Sequence, residues 1–193
     1  MRDLPTLSDY RDAIQDPKAA FADPDLRSCV PELDPLGLPR LQSGGFAGTF
    51  HLKDPQNGQE WAVRCFYRSP APDLAERYRY ISDFLAQCRC PFFVDFEYQP
   101  HGIQVDGRWY PLVKMAWVRG TTLIRAVANH LDQPDLIATL RDRVAELALE
   151  LETLGVAHGD LSHSNIMVTD SGHLVLVDYD GMYAPGMPMT MSY

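Results

Sequence analysis

The sequence predicts an α+β chain: an antiparallel sheet with one helix first, and a mainly helical portion after it. Three observations carry that prediction. Between residues 46 and 118, apolar runs of strand length alternate with clusters of Gly, Pro, Asn and Asp, the pattern of hairpins. One apolar stripe at helical spacing interrupts them, formed by Leu74, Tyr78, Ile81 and Leu85. A longer stripe follows, Leu136, Leu140, Val144, Leu147, Leu151 and Leu154, and Gly155 is placed to end it because glycine adopts the left-handed conformation that closes a helix.

Taken in order, residues 1–40 are rich in Pro and Asp, with one helical candidate from Asp9 to Phe21 and then the punctuation of Pro24, Pro31, Pro35, Gly37 and Pro39. Such a segment reads as an extension lying on a core and not as the core itself. From Leu41 the pattern changes. Gly44-Gly45-Phe46-Ala47-Gly48 leads into Thr49 to Leu52, a turn through Asp54 to Gly58, and a strand from Trp61 to Phe66. A helix from Asp73 to Leu85 follows Pro70 and Pro72. The runs Phe92 to Tyr98, Ile103 to Val105 and Trp109 to Val118, separated by Gln99-Pro100-His101-Gly102 and Asp106-Gly107, continue the sheet with antiparallel neighbours. Beyond the long helix, Pro134 to Leu154, come a polar loop from His158 to Ser164 and two short strands, Ile166 to Val168 and Leu174 to Val177. The tail, with Met182, Met187, Met189 and Met191, shows no period.

The chain has 193 residues, 46% of them hydrophobic, which suits one globular domain or two small lobes. Its 26 acidic and 17 basic residues give a net charge of −9. Nucleic-acid binding normally needs a basic face, so no nucleic-acid partner is expected and any phosphate site must be local. No run approaches the roughly 18 apolar residues of a membrane span, and the first residues lack the apolar run of a signal peptide. No membrane partner is therefore expected, and the expected location is cytoplasmic. Cys29, Cys65, Cys88 and Cys90 do not have zinc-knuckle spacing and are read as reduced thiols.

The densest polar cluster is His158-Gly159-Asp160-Leu161-Ser162-His163-Ser164-Asn165, followed by Asp178-Tyr179-Asp180-Gly181. A loop that presents Asp160 and then Asn165, with a hairpin returning Asp178, gathers three oxygen donors at one point. Magnesium prefers such donors and is commonly completed by substrate phosphates. Taken singly, Asp160 and Asn165 are also ordinary turn residues; the ordered set with both spacings favours the site.

At these residues the sequence resembles the protein kinase superfamily, over roughly Leu41 to Tyr183, and the His-Gly-Asp-Leu form with Ser162 is similar to aminoglycoside and choline phosphotransferases. The resemblance implies a protein kinase-like two-lobe fold: an extension over 1–40, an antiparallel-sheet N-lobe over 41–118 and a partial helical C-lobe over 119–193. It implies ATP and magnesium as cofactors and a hydroxyl group as acceptor. Asp160 would be the catalytic base, Asn165 and Asp178 the metal ligands, and His158 the structural histidine of the loop. Gly45 and Gly48 match the second and third glycines of the phosphate-covering loop, with Phe50 at the apolar position beyond them. Ala62 and Arg64 lie in the segment that carries the family's lysine, and Glu76 is the candidate acid to pair with Arg64, although a first-turn glutamate is also favoured by the helix dipole. Met115 would guard the back of the pocket, or serve simply as core, and Ala116, Trp117 and Val118 would contact the adenine.

The sequence departs from the family at four positions. Ser43 stands where the first glycine is expected, Arg64 replaces the lysine, Gly159 replaces a common arginine, and Asp180 takes the place of the glycine after the metal-binding aspartate, with Gly181 one residue late. Fifteen residues follow Asp178 in the 193-residue chain, so the chain is expected to be a fragment or a truncated product. An apolar strip on the long helix would then be left open, or be covered by the Met-rich tail, a second copy or a missing C-terminal segment. The expected function is ATP-dependent phosphoryl transfer to a hydroxyl of a protein or small molecule. The alternative is a pseudokinase that binds nucleotide or scaffolds without turnover, motivated by Ser43 and Arg64; a metal-dependent hydrolase using Asp160 and Asp178 ranks third.

Overall fold

Period-two alternation builds the larger sheet. The computed structural model describes residues 4–68 and 73–188, which fall into two units, 1–75 with 96–117 and 76–95 with 118–193. In the first unit β1 (Val30–Pro31), β2 (Leu41–Ser43), β3 (Ala47–Lys53), β4 (Glu60–Phe66), β5 (Phe96–Val105) and β6 (Arg108–Ala116) pair antiparallel in the order β1-β3-β4-β6-β5, with β2 also on β3. The register sets Gly48, Phe50 and Leu52 opposite Cys65, Val63 and Trp61, which in turn face Leu112, Lys114 and Ala116. Cross-strand partners share a face, so these residues line one side of the sheet. The other side carries Thr49 and His51, Arg64 and Ala62, and Val113 and Met115.

The first of these faces is covered by the amino-terminal segment. Its helices are α1 (Leu7–Ile14), α2 (Pro17–Ala20) and α3 (Pro24–Arg27). The single helix expected over Asp9 to Phe21 is divided because Pro17 has no N–H to continue α1, while Asp16 caps α2 and Asp23 caps α3. Thr6 and Asp9 form a reciprocal capping box at the start of α1. Tyr10, Ile14, Phe21 and Leu26 pack with Phe50, Leu52, Val63 and Cys65 in one buried cluster. The segment read from composition as lying on the core therefore supplies six of the fourteen buried residues of this cluster. Buried Lys114 holds the segment further, reaching Asp23 Oδ2 at 2.9 Å and Asp25 Oδ2 at 2.8 Å while its ammonium sits 4.2 Å from the Trp61 ring centroid.

A second difference concerns β5, expected as two strands with a turn between them. It is one strand with an irregularity between Gln99 and Ile103, and the predicted residues 92–95 lie outside it. Gly102 permits the irregularity, since a Cβ there would stand 2.5 Å from Leu112 Cγ.

The second unit holds most of α4 (Leu74–Cys88), then β7 (Gly120–Thr122), α5 (Leu123–Asn129), α6 (Pro134–Leu154), β8 (Ile166–Thr169) and β9 (Leu174–Leu176). The strands form an antiparallel sheet in the order β7-β8-β9. Helix α6 has the bounds its stripe predicts and ends at Gly155 with φ 66°. It buries Leu140, Leu147 and Leu151 and leaves Leu149 63% exposed. β7 and α5 are too short to show a period in the sequence. The chain is thus mixed α+β with antiparallel sheets. All four cysteines are free; burial raises the thiol pKa of Cys29 to about 11 and that of Cys65 further, which keeps both protonated. Among the described residues no helix is long and apolar enough to cross a membrane. Pro70, Pro72, Met189 and Met191 lie outside the described residues.

Candidate active site

The polar loop and the segment after β9 are brought together by backbone contacts that small residues permit. Gly159 has φ 78°, and a Cβ on it would lie 2.0 Å from the carbonyl oxygen of Gly181. Only glycine allows that approach. The two departures at Gly159 and Gly181 are thus halves of one contact. On one side of it, Ala157 and Tyr183 exchange hydrogen bonds of 3.1 and 2.7 Å. On the other, His158 Nε2 donates to Val177 O at 3.0 Å from a side chain that is nearly fully buried.

Within this frame the side chain of Asn165 donates from Nδ2 to Asp160 O at 2.9 Å and to Asp160 Oδ2 at 3.0 Å. The backbone carbonyl of Asn165 accepts from Val177 N–H at 3.0 Å, which places Asp178 one residue from that contact. Of the predicted trio, Asp160 and Asn165 are in side-chain contact, and the backbone of Asp178 follows directly on the Val177–Asn165 bond. With the amide nitrogen of Asn165 engaged, its Oδ1 is the atom left to meet a cation. Oxygen donors of this kind suit magnesium; among the described residues no group of three or more His, Cys, Asp and Glu side chains is gathered to hold a metal ion. Asp178 has φ 66° and ψ 71°, a left-handed conformation that costs a non-glycine residue energy and persists where neighbours impose it.

The predicted residues of the first unit lie on its sheet and its glycine-rich turn. Ala62, Arg64 and Met115 share the face opposite the amino-terminal segment. Gly45 lies in the β2–β3 turn with open space around its missing side chain, and Tyr67 Oη donates to the carbonyls of Gly44 and Gly45 at 2.7 and 3.1 Å. Gly48 serves packing, because a Cβ there would meet Leu7 and Leu41 side-chain atoms at 2.6 Å. Phe50 pairs with Val63 and points into the buried cluster, so the residue on Ala62's face is His51. The His51 ring stacks on Trp117 at 3.9 Å between centroids with planes 11° apart. Trp117 N–H donates to Glu60 O at 3.0 Å, so that backbone donor belongs to the sheet. Ala116 pairs with Trp61, while Val118 falls in the second unit. Glu76 is exposed in the first turn of α4.

Several residues around the loop carried no sequence signal. Tyr179 is 1% exposed; its hydroxyl donates to Leu176 O at 2.7 Å and accepts from Val94 N–H at 3.1 Å. Burial raises its pKa well above the usual phenol range, so the donor stays protonated. Arg77 and Tyr78 of α4 reach Asp180, a contact spanning more than a hundred residues of sequence.

An antiparallel sheet preceding a helical portion is compatible with a kinase-like fold. Comparison with known proteins agrees at a distance. The chain is 27% identical over 142 residues to the probable serine/threonine-protein kinase mkcC of Dictyostelium discoideum, covering 74% of this chain and 15% of that one. It is 25% identical over 170 residues to a probable serine/threonine-protein kinase of Streptomyces coelicolor, covering 80% of this chain and 24% of the other. The chain spans less than a quarter of the length of these relatives. No family model matches it. These distant likenesses point to the protein kinase-like superfamily.

Proposed function

We propose that the chain is the nucleotide-handling part of an ATP-dependent phosphotransferase of protein kinase-like, two-lobe fold, transferring phosphate to a hydroxyl acceptor. The single observation that supports the reading is the Asp160–Asn165 pair, next to which the Val177–Asn165 bond brings the backbone that leads into Asp178. In this reading Asn165 Oδ1 and Asp178 hold magnesium, which when bound supplies neutralisation of phosphate charge. Asp160 accepts the proton of the acceptor hydroxyl, and Asn165 holds its carboxylate in place. Within the first unit the turn around Gly45 and the charge of Arg64 serve the phosphates in this reading, and Ala62 and Met115 serve the base.

The pseudokinase reading is favoured by one observation. The face on which Ala62 lies also carries the stacked rings of His51 and Trp117, where an open apolar surface would suit a base better. Calorimetry with ATP, with and without magnesium, tests the first reading. Magnesium should tighten ATP binding in the wild type and not in Asp178→Asn; equal tightening in both removes the metal assignment. ATP binding without any phosphate transfer to water or added acceptors would favour the second reading.

A further inference from the structure

The segment after Asp178 is tied to α4 by contacts that the catalytic arrangement does not require. Tyr78 Oη, on a fully buried side chain, donates to the Asp180 carboxylate at Oδ1. One residue earlier on the helix, Arg77 is 3% exposed and donates from Nη2 to Asp180 O at 2.7 Å and Met182 O at 3.4 Å. A buried guanidinium needs acceptors, and two carbonyls of this segment provide them. The segment itself is a single tight turn, Tyr179–Gly181, closed by Met182 N–H to Tyr179 O at 3.0 Å. Tyr179 anchors its start and the Gly159–Gly181 contact its end. Asp180 offers its side-chain carboxylate as an acceptor to α4, and it occupies the position where the resembled motif has a glycine.

We propose that Asp180, latched by Tyr78 and Arg77, is a positioning residue that holds the Asp178 backbone in its left-handed conformation and so sets Asp178 for the cation. The role in cation binding rests on the proposed phosphotransferase reading. A left-handed aspartate relaxes toward ordinary backbone angles unless both sides are held. On its amino-terminal side the chain is held by β9 and by Val177 N–H to Asn165 O; on its carboxy-terminal side the turn is held by Tyr179 and by the latch. A glycine at 180 would leave that turn without its side-chain tie to the helix. Asp180 thereby makes α4 part of the site's support.

The test uses Tyr78→Phe, which removes one oxygen atom and keeps the ring, together with Asp180→Ala and Asp180→Asn. In the nucleotide-free protein, amide exchange of residues 179–182 should speed about tenfold in Tyr78→Phe and Asp180→Ala, the equivalent of one hydrogen bond to a charged group. Asp180→Asn keeps an acceptor for Tyr78 and should exchange close to wild type. In calorimetry the first two variants should lose about tenfold of the magnesium-dependent tightening of ATP, and Asp180→Asn should retain most of it. Wild-type exchange rates in Tyr78→Phe overturn the latch whatever ATP does. If exchange speeds and Asp178→Asn abolishes the magnesium effect while Tyr78→Phe keeps it whole, the positioning role is overturned and the phosphotransferase reading stands. If Asp178→Asn keeps the magnesium effect, that reading and the metal-setting role both fail, and exchange decides whether the latch alone holds the turn.

Discussion

Replacing Lys114 by methionine should destabilise the first unit by about 3 kcal/mol, a figure that follows from what the ammonium leaves behind. Removing one member of a buried ion pair costs roughly 3–5 kcal/mol, because the partner remains as an uncompensated charge. Here the low end applies. Asp25 has a side chain 60% exposed and can return to water, whereas the Asp23 side chain is 10% exposed and cannot. Asp23 does keep donors after the substitution, Gln99 Nε2 at 2.6 Å and the backbone N–H groups of Asp25 and Leu26 at 2.8 and 3.3 Å. The lost contact of the ammonium with the Trp61 ring, worth about 1 kcal/mol, is offset by the methionine thioether, which makes its own contact with the ring and refills most of the volume. The melting temperature should fall by about 6–12 °C at this chain size.

The dependence on pH carries a sign. Burial by itself would raise the Asp23 pKa, but hydrogen bonds from Lys114 and Gln99 outweigh it and hold the carboxyl below its ordinary value. That stabilisation is present above the ordinary carboxylate range and is lost as pH falls through the lowered value. Burial by itself would lower Lys114, but bonds to Asp23 and Asp25 outweigh it and raise the pKa. Its contribution is present below the ordinary lysine range and disappears as pH rises through the raised value. The gap between wild type and Lys114→Met should therefore be flat from about pH 5 to pH 9 and narrow on either side. Urea titrations followed by tryptophan fluorescence measure it, since Trp61 lies directly under the ammonium. A variant within about 0.5 kcal/mol of wild type at neutral pH, or a gap undiminished in acid, refutes the reasoning.

Asp160→Ala should bind ATP nearly as well as wild type while losing at least about a hundredfold in turnover, because a base acts mainly in the transition state; equal rates by a phosphate-transfer assay exclude the role. Arg64→Ala should weaken ATP binding about tenfold and Arg64→Lys much less, as the charge survives; titration showing wild-type affinity in Arg64→Ala ends the lysine-replacement assignment. Gly159→Ala should cost about 2 kcal/mol or more in thermal unfolding, since a Cβ at 2.0 Å from Gly181 O forces the two segments apart. Gly107→Ala is its control. That site has φ 75° and nothing within 4 Å, so only the backbone cost of about 1 kcal/mol should appear.

The sequence by itself determined the elements with strong periods and the chemistry with strict local spacing. Helix α6 could be read to the residue because its leucine stripe runs for six turns between a proline and a glycine, and the strands β3 and β4 because turn residues separate them. The Asp160–Asn165 pair was legible because both side chains belong to one loop, where spacing along the chain already approximates spacing in space. Tertiary structure decided the rest. Whether residues 1–40 lie on the core or in it depended on which sheet face lacked a cover, and Tyr10, Ile14, Phe21 and Leu26 fill that face. Which residue accompanies Ala62 was settled by cross-strand register, which turns Phe50 into the buried cluster and sets His51 opposite Ala62. Gly159 and Asp180 looked like departures in the sequence because their reasons, Gly181 and the Tyr78–Arg77 pair, come from elsewhere in the chain. Contacts of that range are set by packing and hydrogen-bond satisfaction across folded segments, and no local pattern encodes them.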